Sequence, residues 1–201
     1  MRYLFSLAAD FGLRDVTVSA AVNYFDRYIA STYAADRDDP SVQRVSGNES
    51  TQRVASTCLM MAAKFMDVFK ITVSELVQVH SDRTSAQEFL ETELRVLKAL
   101  GWKLRAAMPS DFLCIMMPMV STGAAAFKMT SVLETASLLE YDFLSLHPRQ
   151  LAGVILTSAL VYVENRWDAN DKLALTCQLS TFELEFWQSK LLDVYKMNFK
   201  V

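Results

Sequence analysis

Apolar residues recur along this chain at spacings of three and four, while strict alternation of period two is hard to find. Val18, Ala21, Val22, Phe25 and Ile29 form one such stripe, Leu90, Leu94, Leu97 and Leu100 a second, and Leu184, Trp187, Leu191 and Tyr195 a third. That is the period of one face of an α-helix, so the sequence predicts an all-α protein. Helices are expected near 2–10, 15–33, 49–66, 73–80, 86–100, 111–118, 125–140, 148–164, 171–176 and 182–197. Thr72, Ser85, Ser110, Asn170 and Thr181 stand where N-caps are needed. Thr72 with Glu75 and Ser85 with Glu88 have the spacing of capping boxes, and Glu183 after Thr181 suits the positive end of a helix dipole.

Two breaks organise this pattern. YAADRDDPSVQRVSGN at 33–48, with mixed charge, Pro40 and Gly47, reads as a surface loop. At about sixteen residues it is long for a helix connection, a tolerated insertion being the simpler reading and a dedicated contact loop the other. In GWKLRAAMP at 101–109 one helical run ends at a glycine and the next restarts after a proline. That predicts two similar halves of about five helices each, 1–106 and 107–201.

Composition narrows the function. With 201 residues, 52% of them hydrophobic, and only 5 Gly and 4 Pro, the chain is expected to pack as a globular protein. A net charge of −3 and a pI near 5.4 give no bulk attraction for nucleic acid or anionic lipid. The start, MRYLFSLAADFGLRDV, lacks the apolar core and cleavage site of a signal peptide, and QLAGVILTSALVYV at 150–163 is shorter than the roughly 18–20 apolar residues of a membrane span. A soluble, intracellular protein is expected, with neither nucleic acid nor membrane as partner. Cys58, Cys114 and Cys177 stand far apart in apolar segments, with no CxxC pair, and read as reduced core residues. The ten methionines, CIMMPM at 114–119 among them, read as core filler. The two histidines, His80 and His147, adjoin no GxSxG, HExxH or glycine-rich phosphate loop, and Glu183 and Glu185 point to different helix faces. No catalytic residue, cofactor or metal is expected.

One charge stands out. In CLMMAAKFMD at 58–67, Lys64 sits inside an otherwise apolar run. A fully buried, unpaired ammonium costs on the order of several kcal/mol, so Lys64 must reach water, a carboxylate or another protein. At the end of its predicted helix it gains from the macrodipole.

AAVNYFDRYIAS at 20–31, then CLMMAAKFMD, then FLETELRVLKALGWKL at 89–104 together resemble the cyclin box, with AVNYFDRY most like the A- and B-type mitotic cyclins. PSDFL at 109–113 and LETASLLEYDFLSLHPRQLAGVILTSALVYV at 133–163 resemble the family's second, more divergent fold, in which Ala152, Gly153 and Ser158 would lie on a central helix. The resemblance covers nearly all of the chain and implies two tandem five-helix cyclin folds. It implies a non-catalytic subunit that binds and activates a cyclin-dependent Ser/Thr kinase, forming a heterodimer in cell-cycle control in the nucleus or cytoplasm. Lys64 and Glu93 fall on the family's kinase-contacting lysine and glutamate, which implies that Glu93, two predicted helices further on, can approach Lys64. Phe65, Asp67, Val68 and Phe69 would extend that contact, and Asp26 and Arg27 would hold the box helices together.

The resemblance also implies a groove for docking peptides of substrates or inhibitors, with Gln52 on its glutamine position. Counting back without gaps from AVNYFDR places Tyr3 on its tryptophan and the family's Met-Arg-Ala-Ile-Leu motif, with the usual arginine partner of Asp26, upstream of Met1; Arg2 is a candidate substitute. Two further departures concern the kinase side. The 33–48 segment is about a dozen residues longer than expected, and Met66 replaces one of two acidic residues that usually follow the Lys-Phe/Tyr pair. The alternatives are a transcriptional cyclin, a cyclin-fold scaffold, or a transcription factor of the IIB type. The last would be basic and preceded by a zinc ribbon, which this chain does not show.

Overall fold

The structure is a computed structural model that describes residues 1–38, 48–81 and 83–199, with side chains omitted at 35–38 and 48–50. All regular structure among the described residues is helical. The chain divides into two units, Met1–Ala106 and Ala107–Val201. The first holds α1 (Arg2–Asp10), α2 (Asp15–Asp38), α3 (Asn48–Met66), α4 (Val73–Val79) and α5 (Ala86–Ala99). The second holds α6 (Pro109–Met116), α7 (Ala124–Ser137), α8 (Pro148–Glu164), α9 (Asn170–Cys177) and α10 (Thr181–Phe199), with 3₁₀ turns at Met117–Val120 and Tyr141–Ser145.

Capping chemistry sets many of these boundaries. Thr72 and Ser85 cap α4 and α5 in reciprocal boxes with Glu75 and Glu88. Hydrogen bonds to these capping groups hold both carboxyls below the usual glutamate range. The end of α5 is a Schellman turn: Gly101 takes φ +59, its N–H bonds the Lys98 carbonyl, and the Trp102 N–H bonds the Leu97 carbonyl. Three expected caps are displaced by one or two residues. Pro109 takes the first helical position of α6, which its fixed φ favours, so Ser110 lies inside the helix and the Asp111 carboxylate accepts the Met108 N–H at 3.0 Å. Asn170 is the first residue of α9, after Ala169. At α10 the reciprocal box is formed by Ser180 and Glu183, not Thr181. His147, extended before Pro148, caps α8 with its ring Nδ1 accepting the Arg149 N–H.

The expected loop at 33–48 is shorter than its composition suggests. Helix α2 continues through Asp38, and α3 already begins at Asn48. The run Ala34-Ala35 favours helix and outweighs the charge that follows; residues 39–47 lie outside the described residues.

Each unit is organised around one buried helix. In the first, α3 packs against α1, α2 and α5, and every residue from Val54 to Ala63 is buried. In the second, α8 packs against α6, α7, α9 and α10 and is buried from Leu151 to Leu160. Buried hydroxyls on both return to their own helix: Thr57 donates to Arg53 O, Thr157 to Gly153 O and Ser158 to Val154 O. Gly153 faces Cys177 so closely that a Cβ there would lie 2.1 Å from the sulfur. Cys58 and Cys177 are core residues, but Cys114 is exposed, because α6 turns Leu113 and Met116 inward instead. The methionines divide likewise, with Met60, Met61 and Met116 buried and Met119 and Met197 exposed.

Candidate functional site

The burial of α3 stops abruptly at its last turn. Ala63 is fully buried and Lys64 is exposed. Helix α5 lies alongside, with Phe89, Thr92 and Val96 turned inward and Glu93 at the rim of that face. The Lys64 ammonium donates to Glu93 Oε1 at 2.7 Å, with the two side chains 39% and 18% exposed. The pair therefore stands in contact with water at the edge of an apolar surface. Phe65, Val68 and Phe69 are exposed immediately beside Lys64 in the chain, Val68 and Phe69 almost entirely so. A cluster of large exposed side chains around a charged pair is the composition of an interaction surface.

Asp67 has a different environment from the one expected of a contact residue. Its carboxylate is 10% exposed and both oxygens are engaged, Oδ1 by Arg14 Nε and Oδ2 by the Thr17 hydroxyl, each at 2.5 Å. Arg14 also donates to the Met66 carbonyl. Arg14 and Thr17 thus fix the chain where it leaves α3, directly behind Lys64 and Phe65. Neither was singled out from the sequence, since about fifty positions separate each from Asp67 and no local pattern joins them.

Asp26 and Arg27 lie on α2. Burial pushes the Asp26 carboxyl up to about 6, and among the described residues it shows no hydrogen bond or ion pair. Arg27 reaches Asn23 Oδ1 and the Leu100 carbonyl at the end of α5, both at 3.5 Å.

Tyr3 and Gln52 are brought together. They line two shallow cavities, of about 180 Å³ towards Leu4 and Phe25 and about 210 Å³ towards Val79 and Thr84. The Tyr3 hydroxyl lies 2.7 Å from Ser56 Oγ and 3.1 Å from His80 Nε2, which are themselves 2.9 Å apart. This closed triangle joins α1, α3 and the end of α4, and the His80 ring meets Phe89 edge-on at 5.2 Å. No local pattern in the sequence signals that Ser56 and His80 support Tyr3. Among the described residues, no cluster of His, Cys, Asp and Glu has the makings of a metal site, and no helix is long and apolar enough to cross a membrane.

Comparison with known proteins identifies the family. Residues 1–105 match the family described as "Cyclin, N-terminal domain". Cyclin-A2 of Gallus gallus is 24% identical over 200 residues, covering 98% of this chain and 46% of the relative. G2/mitotic-specific cyclin-B2 of Anguilla japonica is 25% identical over 171 residues, covering 85% of this chain and 40% of the relative. The chain thus spans less than half the length of either. Among solved structures, a viral cyclin from herpesvirus saimiri superposes with a TM-score of 0.78 at 18% identity, covering 96% of this chain and 81% of the other. A chain of the yeast RNA Pol II CTD kinase CTDK-1 complex does so at 0.71 and 15%, covering 99% and 64%. With just over half of its residues matching the family's N-terminal domain and its fold shared with solved cyclins, the chain belongs to the cyclin family.

Proposed function

We propose that this protein is the regulatory, non-catalytic subunit of a cyclin-dependent Ser/Thr protein kinase and activates that kinase by binding it. The observation that carries the reading is the exposed Lys64–Glu93 pair, closed at 2.7 Å beside Phe65 and Phe69. Free, the pair is solvated at one edge. Bound, each partner exchanges water for hydrogen bonds to the kinase, while Phe65, Val68 and Phe69 supply buried apolar area. In this reading Asp67 acts indirectly, its carboxylate held by Arg14 and Thr17 so that the α3 end keeps its shape.

Activation needs no chemistry from the cyclin. A kinase whose ATP-positioning lysine and regulatory-helix glutamate are apart is inactive, and a partner that binds only the assembled arrangement shifts the population towards it. The units 1–106 and 107–201 are, on the same proposal, an N-terminal cyclin box and a C-terminal cyclin fold in tandem, with Asp26 and Arg27 as structural residues of the box. The Tyr3–Gln52 cavities are the docking groove for a peptide of a substrate or inhibitor. The relatives named for mitotic functions support a cell-cycle kinase and a site of action in nucleus or cytoplasm. A transcriptional kinase is the second reading, set against the mitotic character of AVNYFDRY. Mixing the purified chain with a panel of monomeric cell-cycle and transcriptional cyclin-dependent kinases, and following phosphorylation of histone and of a polymerase C-terminal repeat peptide, tests both. Activation of a cell-cycle kinase is expected; activation of none across the panel removes the reading.

A further inference from the structure

A second charged feature lies on another face of α5. Glu88, Glu91 and Arg95 recur at spacings of three and four, and Glu93 stands roughly 140° round the helix from Glu88. With Arg53 from α3 and Leu94, these three line an open cavity of about 440 Å³. Its charges are unequally committed. Glu88 Oε2 accepts the Ser85 N–H and hydroxyl, and its Oε1 accepts from Arg53 at 2.9 Å. Glu91 Oε1 accepts the Gln87 amide at 2.9 Å. Arg95, an exposed side chain with five N–H donors, spends one on Thr92 Oγ1 at 3.0 Å and has no carboxylate partner among the described residues. Among the described residues, Arg53 Nε is buried without a hydrogen-bond partner. Such a donor is costly to leave unmet, and a ligand that draws the guanidinium outward relieves it. Both guanidiniums also oppose the rise that burial gives the Tyr28 hydroxyl.

We propose that this cavity is an oxyanion-binding subsite, in which Arg95 and Arg53 grip a phosphoryl or carboxylate group carried by a peptide while Leu94 receives a neighbouring apolar side chain. The planar guanidinium fork of Arg95 matches either group with two parallel hydrogen bonds. Glu91 is the opposing charge. It weakens the site for a dianion and favours a peptide in which a basic residue adjoins the acidic one. The site stands apart from the Lys64–Glu93 surface, and its test involves no kinase, so failure of either proposal leaves the other standing.

The experiment is fluorescence polarisation of three degenerate octapeptide pools, with a fixed central phosphoserine, aspartate or serine, against the whole chain at low salt. The anionic pools should bind about tenfold tighter than the serine pool, the gain of one charge-assisted hydrogen-bonded pair. Preference for phosphoserine alone identifies the phosphoryl source, and equal binding of aspartate identifies the carboxylate source. Arg95→Gln, a change at an exposed position, should abolish the preference with the thermal midpoint unchanged, and Glu91→Gln should increase it. Equal binding of all three pools, or a preference that survives Arg95→Gln, overturns the proposal.

Discussion

Helices α3 and α8 do the same structural work in their respective units and end in opposite ways. Each is buried for ten consecutive residues, and each carries charge in or just past its last turn. At the end of α8 that charge is consumed internally. Glu164 accepts the Gly123 N–H at 3.0 Å and also pairs with Arg166, which pairs in turn with Asp168 and donates to the Val120 carbonyl. The bonds to Asp168 and Glu164 hold the Arg166 guanidinium above its ordinary range, as expected of a cation bonded on several sides. At the end of α3 the Lys64–Glu93 pair makes one contact and stands among exposed aromatic side chains. A charge fixed from several sides staples a fold, whereas a charge held once beside apolar surface is, on the proposed reading, placed for a partner.

The largest effect is expected in α8. Gly153→Ala puts a methyl group 2.1 Å from Cys177 Sγ, so the buried Cys177 side chain must turn or α9 must shift, at a cost of about 2 kcal/mol or more. Differential scanning calorimetry should show the midpoint falling by on the order of 10 °C. An unchanged midpoint would mean that the space around Gly153 and Cys177 takes up a methyl group without strain.

Lys64→Ala should do the reverse. The thermal midpoint should stay within a degree or so, since the pair is partly exposed, while affinity for the kinase found in the panel falls by about 2 kcal/mol, roughly 30-fold. Ser85→Ala removes the α5 cap and should cost about 1 kcal/mol by urea titration, with less effect on kinase affinity than Lys64→Ala.

Asp26 sharpens the contrast through pH. Its carboxyl is ordinarily near 3.8 and rises to about 6 in the folded protein, so the folded state holds the proton more tightly. The stability this contributes is complete below about pH 4 and lost as pH rises through about 6. Asp26→Asn should therefore raise the thermal midpoint at pH 8, with the advantage disappearing by pH 4. A lowered midpoint at pH 8 would indicate instead that the ionised carboxylate is tied to a cation. The smallest effect is expected from Arg166→Gln, a modest drop in midpoint without change in kinase affinity.

Much of this was legible in the sequence because the signals are local. The helical stripes, the Thr72 and Ser85 capping boxes and the anomalous Lys64 all lie within a few residues of what determines them. The prediction of ion-pair partners succeeded for Lys64 and Glu93, where a recognisable motif supplied the spacing. It missed the engagement of Asp67 by Arg14 and Thr17, and the triangle of Tyr3, Ser56 and His80, because such contacts depend on how helices pack. The caps at Ser180 and His147 were missed for a smaller reason: a neighbouring Thr181 in one case, and in the other a histidine whose ring nitrogen does the work usually done by a hydroxyl or carboxylate. Cys114 shows the limit of composition, since an apolar neighbourhood in sequence does not decide which helix face a residue occupies.

The central claim is that the end of α3 is built for a partner and the end of α8 is not. Isothermal titration calorimetry of the partner kinase with the wild-type chain, Lys64→Ala and Arg166→Gln tests it directly. The account predicts that Lys64→Ala loses at least tenfold in affinity and that Arg166→Gln binds like the wild type. Wild-type affinity in Lys64→Ala, or an equal loss in both variants, would contradict it.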